Sequence, residues 1–158
     1  MTKSIEFEVN ALSETEKAWL AGIIDGEGSI FIMKQKRKDR DRDTNYILRV
    51  TVQSTDKYMV PKIHQLIGGP VIYENFEKRP NQNNTLKWQL NGKGAIRFLR
   101  AILPYLVVKN SQAKLAIRFH RESKRHWKHM SEILYKRQEM YYLLLKSLKT
   151  KIIFKSLN

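Results

Sequence analysis

The sequence has 158 residues, enough for one domain with a modest core and too few for a second catalytic domain. Its 30 Lys and Arg against 15 Asp and Glu give a net charge of +15, which favours polyanionic partners, nucleic acid first, while 42% hydrophobic residues exclude a disordered basic tail. The lack of cysteine excludes disulfides, thiolate zinc sites, iron–sulfur clusters and cysteine nucleophiles.

The N-terminal residues and the apolar segments give no sign of export or membrane insertion. Residues 1–10 contain no apolar run, unlike a signal peptide, and the longest uncharged apolar stretch, Ala18–Ile24, is too short to span a bilayer. We therefore expect a soluble intracellular protein, in the cytoplasm or an organelle, with no membrane partner.

The first predicted helix begins at a capping signal and ends at an acidic turn. Ser13 stands three residues before Glu16, the spacing of a capping box, and predicts a helix over 14–25. Its second half is apolar almost all round, which is typical of a helix covered on every side. The turn at 25–28, Asp-Gly-Glu-Gly, then ends the helix, because glycine adopts left-handed conformations at little cost.

Two β-hairpins and further helices follow. The predicted strands are 29–37, 46–53, 70–76 and 85–90, and the predicted helices are 56–67, 93–103, 111–122 and 128–148. Pro61 either kinks its helix or delays its start. The order αββαββα, followed by a basic helical extension over about 123–158, predicts a single α+β domain spanning residues 1–158.

Asp25 and Glu27 lie where the helix macrodipole disfavours carboxylates, and a cation would relieve this conflict. Glu27 with the backbone carbonyl of Gly26 is a plausible oxygen site for Mg²⁺. An acidic-glycine turn is more often structural than catalytic, and composition alone favours that alternative.

A stripe of small residues runs along the same helix. Ala18, Gly22 and Gly26 are four residues apart, so another backbone can approach closely there. Because the acidic turn occurs once, a second copy would come from another chain. A two-fold dimer would bring both Glu27 carboxylates near the axis, where DNA phosphates complete the coordination of the metals.

Residues 20–28, Leu-Ala-Gly-Ile-Ile-Asp-Gly-Glu-Gly, resemble the LAGLIDADG motif of homing endonucleases. The resemblance extends over about residues 10–122 and is to the single-motif branch, whose members act as homodimers on double-stranded DNA. It implies the αββαββα LAGLIDADG fold with a curved antiparallel four-stranded sheet, here with additional C-terminal helices.

The resemblance also implies roles for individual residues. It makes Glu27 the metal-binding acid, with the carbonyl of Gly26, and gives Asp25 a mainly structural role. Gln53 resembles the residue that orders the attacking water, Lys57 the basic residue one turn later, and Lys109 the catalytic lysine. The predicted catalytic set is Glu27, Gln53, Lys57 and Lys109, the metal set is Gly26 and Glu27, and the dimer interface is Ala18, Ala21, Gly22, Asp25 and Gly26.

Four strands on one face would fit the major groove and read bases at alternate positions. Alternation directs Arg49, Thr51 and Gln53 of the second strand, and Lys87 and Gln89 of the fourth, away from the core. In the first strand, where both faces are apolar, the resemblance favours the residues from Ser29 to Arg37 at alternate positions. The predicted DNA contacts are Ser29, Phe31, Met33, Gln35, Arg37, Arg49, Thr51, Tyr73, Asn75, Lys87 and Gln89. Phosphate contacts are expected from the loop at 36–42 and from lysines of the extension, although a solubilising surface is the alternative for each lysine.

These observations favour a Mg²⁺-dependent, site-specific homodimeric endonuclease. The resemblance implies that it is intron-encoded and cuts both strands of a long, partly palindromic site. Mn²⁺ would substitute, and Ca²⁺ would support binding without turnover. The first alternative is an intron RNA maturase or DNA-binding protein of the same fold without nuclease activity. A ribosome-associated or membrane-surface basic protein would explain the charge but not the glycine stripe, and a zinc site at His126 and His129 lacks a third ligand.

Overall fold

The computed structural model describes residues 11–36, 44–74, 83–123 and 132–149. The helices are α1 (Glu14–Gly26), α2 (Met59–Ile67), α3 (Gly92–Ile102), α4 (Asn110–Ser123) and α5 (Glu132–Ser147), with a 3₁₀ turn at Leu103–Tyr105 between α3 and α4. The strands are β1 (Gly28–Lys36), β2 (Thr44–Ser54), β3 (Val71–Glu74) and β4 (Thr85–Asn91). The predicted order αββαββα is confirmed for the elements from α1 to α3. Helices α4 and α5 follow them. No helix in the described ranges has the length and apolarity needed to cross a membrane.

The four strands form one antiparallel sheet in the order β1-β2-β4-β3. Alternate residues of β1, β2 and β4 point to the same side, and those near the middle of the sheet are buried, among them Ile30, Val50, Val52 and Trp88. The helices cover this side, and their apolar residues complete the core. We call the opposite side of the sheet the outer face.

Side chains define where two of the helices begin. At α1 the predicted capping box is present: the Ser13 hydroxyl accepts from the Glu16 N–H, and the Glu16 carboxylate accepts from the Ser13 N–H. Helix α2 begins at Met59, three residues later than predicted, because the Asp56 carboxylate accepts from the backbone N–H groups of Tyr58 and Met59 and so precedes the helix. Pro61 falls in the first turn, where its missing N–H does no harm.

Helix α5 packs across β1 and β2 through one acidic side chain and a group of aromatic rings. The Glu139 carboxylate accepts from the Lys34 ammonium at 2.8 Å and from the Tyr46 hydroxyl. The buried Tyr46 ring lies 5.9 Å from the Tyr135 ring and 6.2 Å from the Tyr142 ring, measured between centroids. These contacts place α5 beside the edge strand β1 and cover part of that edge.

The connection between α1 and β1 depends on a close backbone approach. A Cβ atom at Gly28 would lie 2.7 Å from the Ile24 Cα and 2.8 Å from the Ile24 carbonyl oxygen. Those atoms belong to the backbone of α1 and cannot turn aside. Gly28 therefore lets β1 begin directly against the last turn of the helix.

We expect Gly28→Ala to lower the free energy of unfolding by about 1–3 kcal/mol, as overpacking against fixed atoms does. Gly94→Ala is the control, because its Cβ would meet only the Leu90 Cδ2, at an ordinary 3.7 Å; this variant should be neutral or more stable by up to about 1 kcal/mol. Urea unfolding followed by circular dichroism measures both variants. Equal stability of the two would contradict the close approach at Gly28.

The Glu139 carboxylate also predicts a pH dependence. Its hydrogen bonds from Lys34 and Tyr46 lower the pKa of Glu139, so its contribution is fully present above the ordinary glutamate pKa of about 4.3 and is lost as pH falls through the lowered value. We expect Glu139→Gln to lower the free energy of unfolding at neutral pH by up to about 1 kcal/mol, since the Lys34–Glu139 pair is partly exposed. This difference from the wild type should shrink in acid. Glu132→Gln, which breaks only the exposed pair with Lys136, should change little at any pH. A deficit that does not vary with pH would refute this role of the Glu139 charge.

Candidate functional site

The C-terminal end of α1 lies at one end of the β1–β2 pair. Gly28 is paired with Val52 in the sheet, so Glu27 and Gln53 each lie one residue beyond that pair, at the same end of the two strands. Glu27 is exposed, and within the described ranges its carboxylate accepts no hydrogen bond and forms no ion pair. The carboxylate of Glu27 is therefore free to bind a ligand. The amide of Gln53, which was predicted to order the attacking water, belongs to the adjacent strand β2.

Lys109 reaches this end of α1 from the segment before α4. Its ammonium donates to the carbonyl oxygens of Ile24 at 2.8 Å and Asp25 at 2.5 Å, which are among the last carbonyls of the helix. A cation at this position complements the negative end of the helix dipole. Burial lowers the pKa of Lys109, and the negative charges of Asp25 and Glu27 act against that lowering. The structure thus brings Lys109 and Glu27 together, 82 positions apart in the sequence.

Asp25 fixes the segment that carries Lys109. Its carboxylate oxygens accept from the backbone N–H groups of Val107 and Lys109, each at 2.8 Å. Burial by itself raises the pKa of Asp25, but the N–H groups of residues 107–109 outweigh it and hold that pKa below its usual value. The contacts agree with the structural role that the resemblance implied for Asp25.

The donor set at this end suits a hard cation but is incomplete in a single chain. Glu27 offers carboxylate oxygens and Gly26 a backbone carbonyl, which are ligand types that Mg²⁺ prefers. Among the described residues, no group of three or more His, Asp or Glu side chains is placed to hold a metal ion. Glu27 and Gly26 by themselves would fill only part of the coordination shell of such a cation.

The exposed side of α1 carries the stripe of small residues. Ala18, Gly22 and Gly26 are exposed, and a Cβ at either glycine would meet no atom of the described segments within 4 Å. Trp19 flanks the stripe with 39% of its surface exposed. Ala21 was predicted to belong to this surface, but it is fully buried in the core of its own chain, on the buried side of α1 and away from the stripe.

The predicted alternation of β1, β2 and β4 agrees with the structure. The outer face carries residues that pair across the strands, such as Ser29 with Thr51 and Thr51 with Gln89. The predicted contacts found on this face are Ser29, Phe31, Met33, Gln35, Arg49, Thr51, Gln53, Lys87 and Gln89. Thr51 offers little surface, with 8% exposed, because its neighbours on both sides cover it.

Strand β3 has the opposite alternation to the one predicted. Ile72 pairs with Lys87 and Tyr73 pairs with Leu86, so Tyr73 lies on the helix side of the sheet and its predicted place on the outer face is wrong. Glu74 lies on the outer face instead, where its carboxylate accepts from the Gln53 amide at 2.8 Å and pairs with the Lys87 ammonium at 3.4 Å. The sequence analysis missed Glu74 because four residues exposed on both sides carry no clear alternation.

The remaining predicted residues lie apart from the cluster or outside the described ranges. Lys57 is exposed before α2, and its ammonium lies 5.1 Å from the centroid of the Tyr58 ring. No contact in the described ranges joins it to Glu27. Arg37, Asn75, most of the loop at 36–42, and the His126 and His129 pair lie outside the described residues.

Comparison with solved structures identifies proteins of the same fold. The homing endonuclease I-CvuI, in complex with its target in the presence of Ca, superposes with a TM-score of 0.72 at 21% identity, over 87% of this chain and 83% of that chain. The archaeal intron-encoded homing endonuclease I-Vdi141I, complexed with DNA, gives a TM-score of 0.72 at 16% identity, over 90% and 89%. At these identities the likeness shows the fold alone.

The sequence itself carries the family assignment. No curated protein sequence matches the chain. The sequence profile of the LAGLIDADG endonuclease matches residues 20–121, which is more than half of the chain and includes the acidic turn, all four strands and Lys109. The chain therefore belongs to the LAGLIDADG endonuclease family.

Proposed function

We propose that this chain is a site-specific homing endonuclease that acts as a homodimer. It binds double-stranded DNA with the outer face of its sheet in the major groove and hydrolyses phosphodiester bonds of both strands with Mg²⁺. The observation that carries the proposal is the free carboxylate of Glu27, which lies with Lys109 at the end of the exposed glycine stripe. An RNA maturase or a DNA-binding protein without nuclease activity would require neither a free acid nor a lysine at that position.

The glycine stripe supports the dimer. Gly22 lies on the exposed side of α1, where glycine costs about 1 kcal/mol relative to alanine, and no atom of the described residues requires the missing side chain. Beyond the end of α1, Val107 and Val108 are 83% and 73% exposed. A second copy packed along the stripe would use the close approach and cover apolar surface near this end.

The same dimer would complete the metal site. Each chain contributes Glu27 and the Gly26 carbonyl, so two chains supply two carboxylates, and the DNA phosphates supply further oxygens. Glu27 and the Gly26 carbonyl would hold Mg²⁺ or its substitute Mn²⁺, which would supply activation of water and neutralisation of phosphoryl charge, whereas Ca²⁺ would support binding without turnover. I-CvuI is seen with DNA in the presence of Ca and, with the DNA not cleaved, in the presence of Mg, so divalent ions accompany DNA in complexes of this fold.

The other residues of the cluster have roles that follow from their contacts. Gln53 donates its amide hydrogens to Glu74 and Thr85, both at 2.8 Å, which fixes the orientation of the amide and leaves Oε1 to accept from water. Lys109 is a cation at the same end and would stabilise the charge that develops on the phosphate. Lys57 would contribute a further positive charge from the loop before α2.

The outer face provides the DNA-reading surface. Arg49, Lys87 and Gln89 present donors that suit base edges in the major groove, and the net charge of +15 supplies attraction to the phosphates that does not depend on sequence. Arg49 donates to Asn91 at 2.8 Å, so its guanidinium is oriented before DNA arrives. The target sequence can be obtained by cleavage selection from a randomised duplex library in Mg²⁺.

Glu27→Gln should reduce cleavage of the selected target at least a hundredfold and leave binding nearly unchanged, because the amide cannot hold a cation as the carboxylate does. Linearisation of a plasmid in Mg²⁺ measures cleavage, and gel retardation in Ca²⁺ measures binding. Glu14→Gln is the control, since it removes an exposed acid from the first turn of α1. Full activity of Glu27→Gln would overturn the proposed site.

Gly22→Leu should leave the protomer folded and prevent dimerisation, because the leucine enters open space in one chain but fills the surface along which two chains pack. We expect sedimentation as a monomer at concentrations where the wild type is a dimer, together with loss of cleavage. Gln65→Leu adds the same side chain to the exposed surface of α2 and should sediment as the wild type does. A wild type that is monomeric both free and on DNA would overturn the homodimer.

A further inference from the structure

Helices α3 and α4 carry the same eight-residue pattern. Residues 93–100 read Lys-Gly-Ala-Ile-Arg-Phe-Leu-Arg and residues 114–121 read Lys-Leu-Ala-Ile-Arg-Phe-His-Arg, so six of the eight positions are identical. The alanine and the phenylalanine of the pattern are buried in both helices. The lysine and the two arginines are exposed in both. Each helix is therefore held in the core by its apolar side and presents three cations to solvent.

These cations lie on the side of the molecule away from the outer face. The Phe98 ring packs against the ring of Trp88, on the helix side of β4, with 5.3 Å between centroids. The Phe119 ring packs against Tyr141 of α5 at 5.9 Å. Both helices contact the sheet and each other, so their exposed sides face away from the sheet. We call these exposed cations the basic surface, which consists of Lys93, Arg97, Arg100, Lys114, Arg118 and Arg121.

The basic surface has little compensating acid. Between Gly92 and Ser123 the chain has seven Lys and Arg residues and a single acid, Glu122. The Glu122 carboxylate pairs with Arg118 at 3.0 Å and also accepts from the Tyr141 hydroxyl at 2.7 Å. Within the described ranges the other five cations form no ion pair and no side-chain hydrogen bond. A surface that serves solubility alone mixes both signs of charge, so a surface of one sign calls for another explanation.

The spacing of the cations is unfavourable for the free protein. In each helix the lysine and the first arginine are four residues apart and the two arginines are three apart, so like charges lie next to one another and destabilise the helix. Lys93 also lies in the first turn of α3, where the helix macrodipole favours acids. A polyanion bound to the basic surface would replace this repulsion with attraction.

The chemistry of the basic surface suits the backbone of duplex DNA. Each set of three cations extends over roughly 10 Å of helix, a length over which a duplex carries about six phosphate charges. Guanidinium groups bind phosphate oxygens in a bidentate geometry, and cations bind the backbone whatever the base sequence. For a protein already bound to its target, other segments of the same long DNA molecule are the polyanion at the highest local concentration.

We propose that the basic surface binds a second segment of duplex DNA, without sequence preference, while the outer face holds the target. This inference rests on the proposed function, because it assigns a second segment to a protein whose outer face binds the first. With two DNA-binding sides, the protein would pass directly from one segment of a long molecule to another. Such transfer would shorten the search for a rare target site.

The first test is capture of a second duplex by a preformed complex. The protein is saturated with a short target duplex in Ca²⁺, which occupies the outer face, and binding of a labelled duplex of unrelated sequence is measured by fluorescence anisotropy. The wild type should capture this duplex. The double variant Arg97→Gln, Arg118→Gln, changed at equivalent positions of the two helices, should capture it roughly fivefold more weakly or worse and lower the slope of log K against log salt by about 1.8, or 0.9 for each lost contact. Its binding to the target should be unchanged, and equal capture by both proteins would overturn the proposal.

Two further double variants serve as matched controls. Arg97→Lys with Arg118→Lys keeps both charges and should retain most of the capture. Lys17→Gln with Lys62→Gln removes two charges from α1 and α2, which lack the pattern, and should capture the duplex as the wild type does. Equal weakening in this second control would mean that net charge alone attracts the duplex, and the proposal would fail. Tighter binding of an RNA duplex, or of polyglutamate at equal charge, than of duplex DNA would likewise refute the assigned partner.

A second test measures transfer between duplexes. Release of the protein from a labelled duplex of unrelated sequence is followed at rising concentrations of unlabelled duplex. The release rate of the wild type should increase with that concentration, because the basic surface binds the new segment before the outer face lets go of the first, whereas the rate of the Arg97→Gln, Arg118→Gln variant should stay nearly constant. A constant rate in the wild type would contradict the proposal. If the wild type cleaves its target but captures no second duplex, only this inference fails. If the wild type neither binds nor cleaves target DNA, the proposed function fails and this inference fails with it.

Discussion

The negative end of α1 is the feature on which the rest of the site depends. A helix that ends in exposed carbonyls next to two carboxylates is electrostatically unfavourable unless cations or N–H groups come to it. In this chain Lys109 donates to two of the last carbonyls, and the N–H groups of residues 107 and 109 bind Asp25. The Glu27 carboxylate is left free. The same contacts that stabilise the helix end therefore place a lysine beside an acid that has no partner in the described ranges.

The sheet extends this local arrangement into a surface. Gly28 lets β1 begin against α1, and the pairing of β1 with β2 then brings Gln53 next to the acidic turn. Because the strands alternate, the register that buries Val50 and Val52 also directs Arg49 and Gln53 to the outer face. Packing of the core and presentation of polar side chains are thus two results of one register, and a one-residue slip would destroy both.

Most of the fold could be predicted from the sequence because its signals are local. The capping box at Ser13, the two hairpins and the alternation of β2 and β4 each depend on neighbouring residues. Two errors arose where distant residues decide, since pairing with β4 sets the alternation of β3 and packing within the core buries Ala21. The start of α2 is set locally, by the Asp56 carboxylate that accepts from the Met59 N–H. The contacts of Asp25 with residues 107 and 109 join segments more than 80 positions apart, and only resemblance to a family suggested the role of Lys109.

An incomplete site has a functional advantage for an enzyme of the proposed kind. With one carboxylate from each chain, a single copy would bind a divalent ion poorly, so an unassembled protomer would not cleave DNA at random sites. In the proposed dimer, the second acid and the phosphates arrive only when two copies meet on a duplex, and cleavage then depends on recognition of both half-sites. Because the two acids would lie near the dimer axis, each bound target would present both strands to the same centre. The glycine stripe would therefore link cleavage of one strand to cleavage of the other.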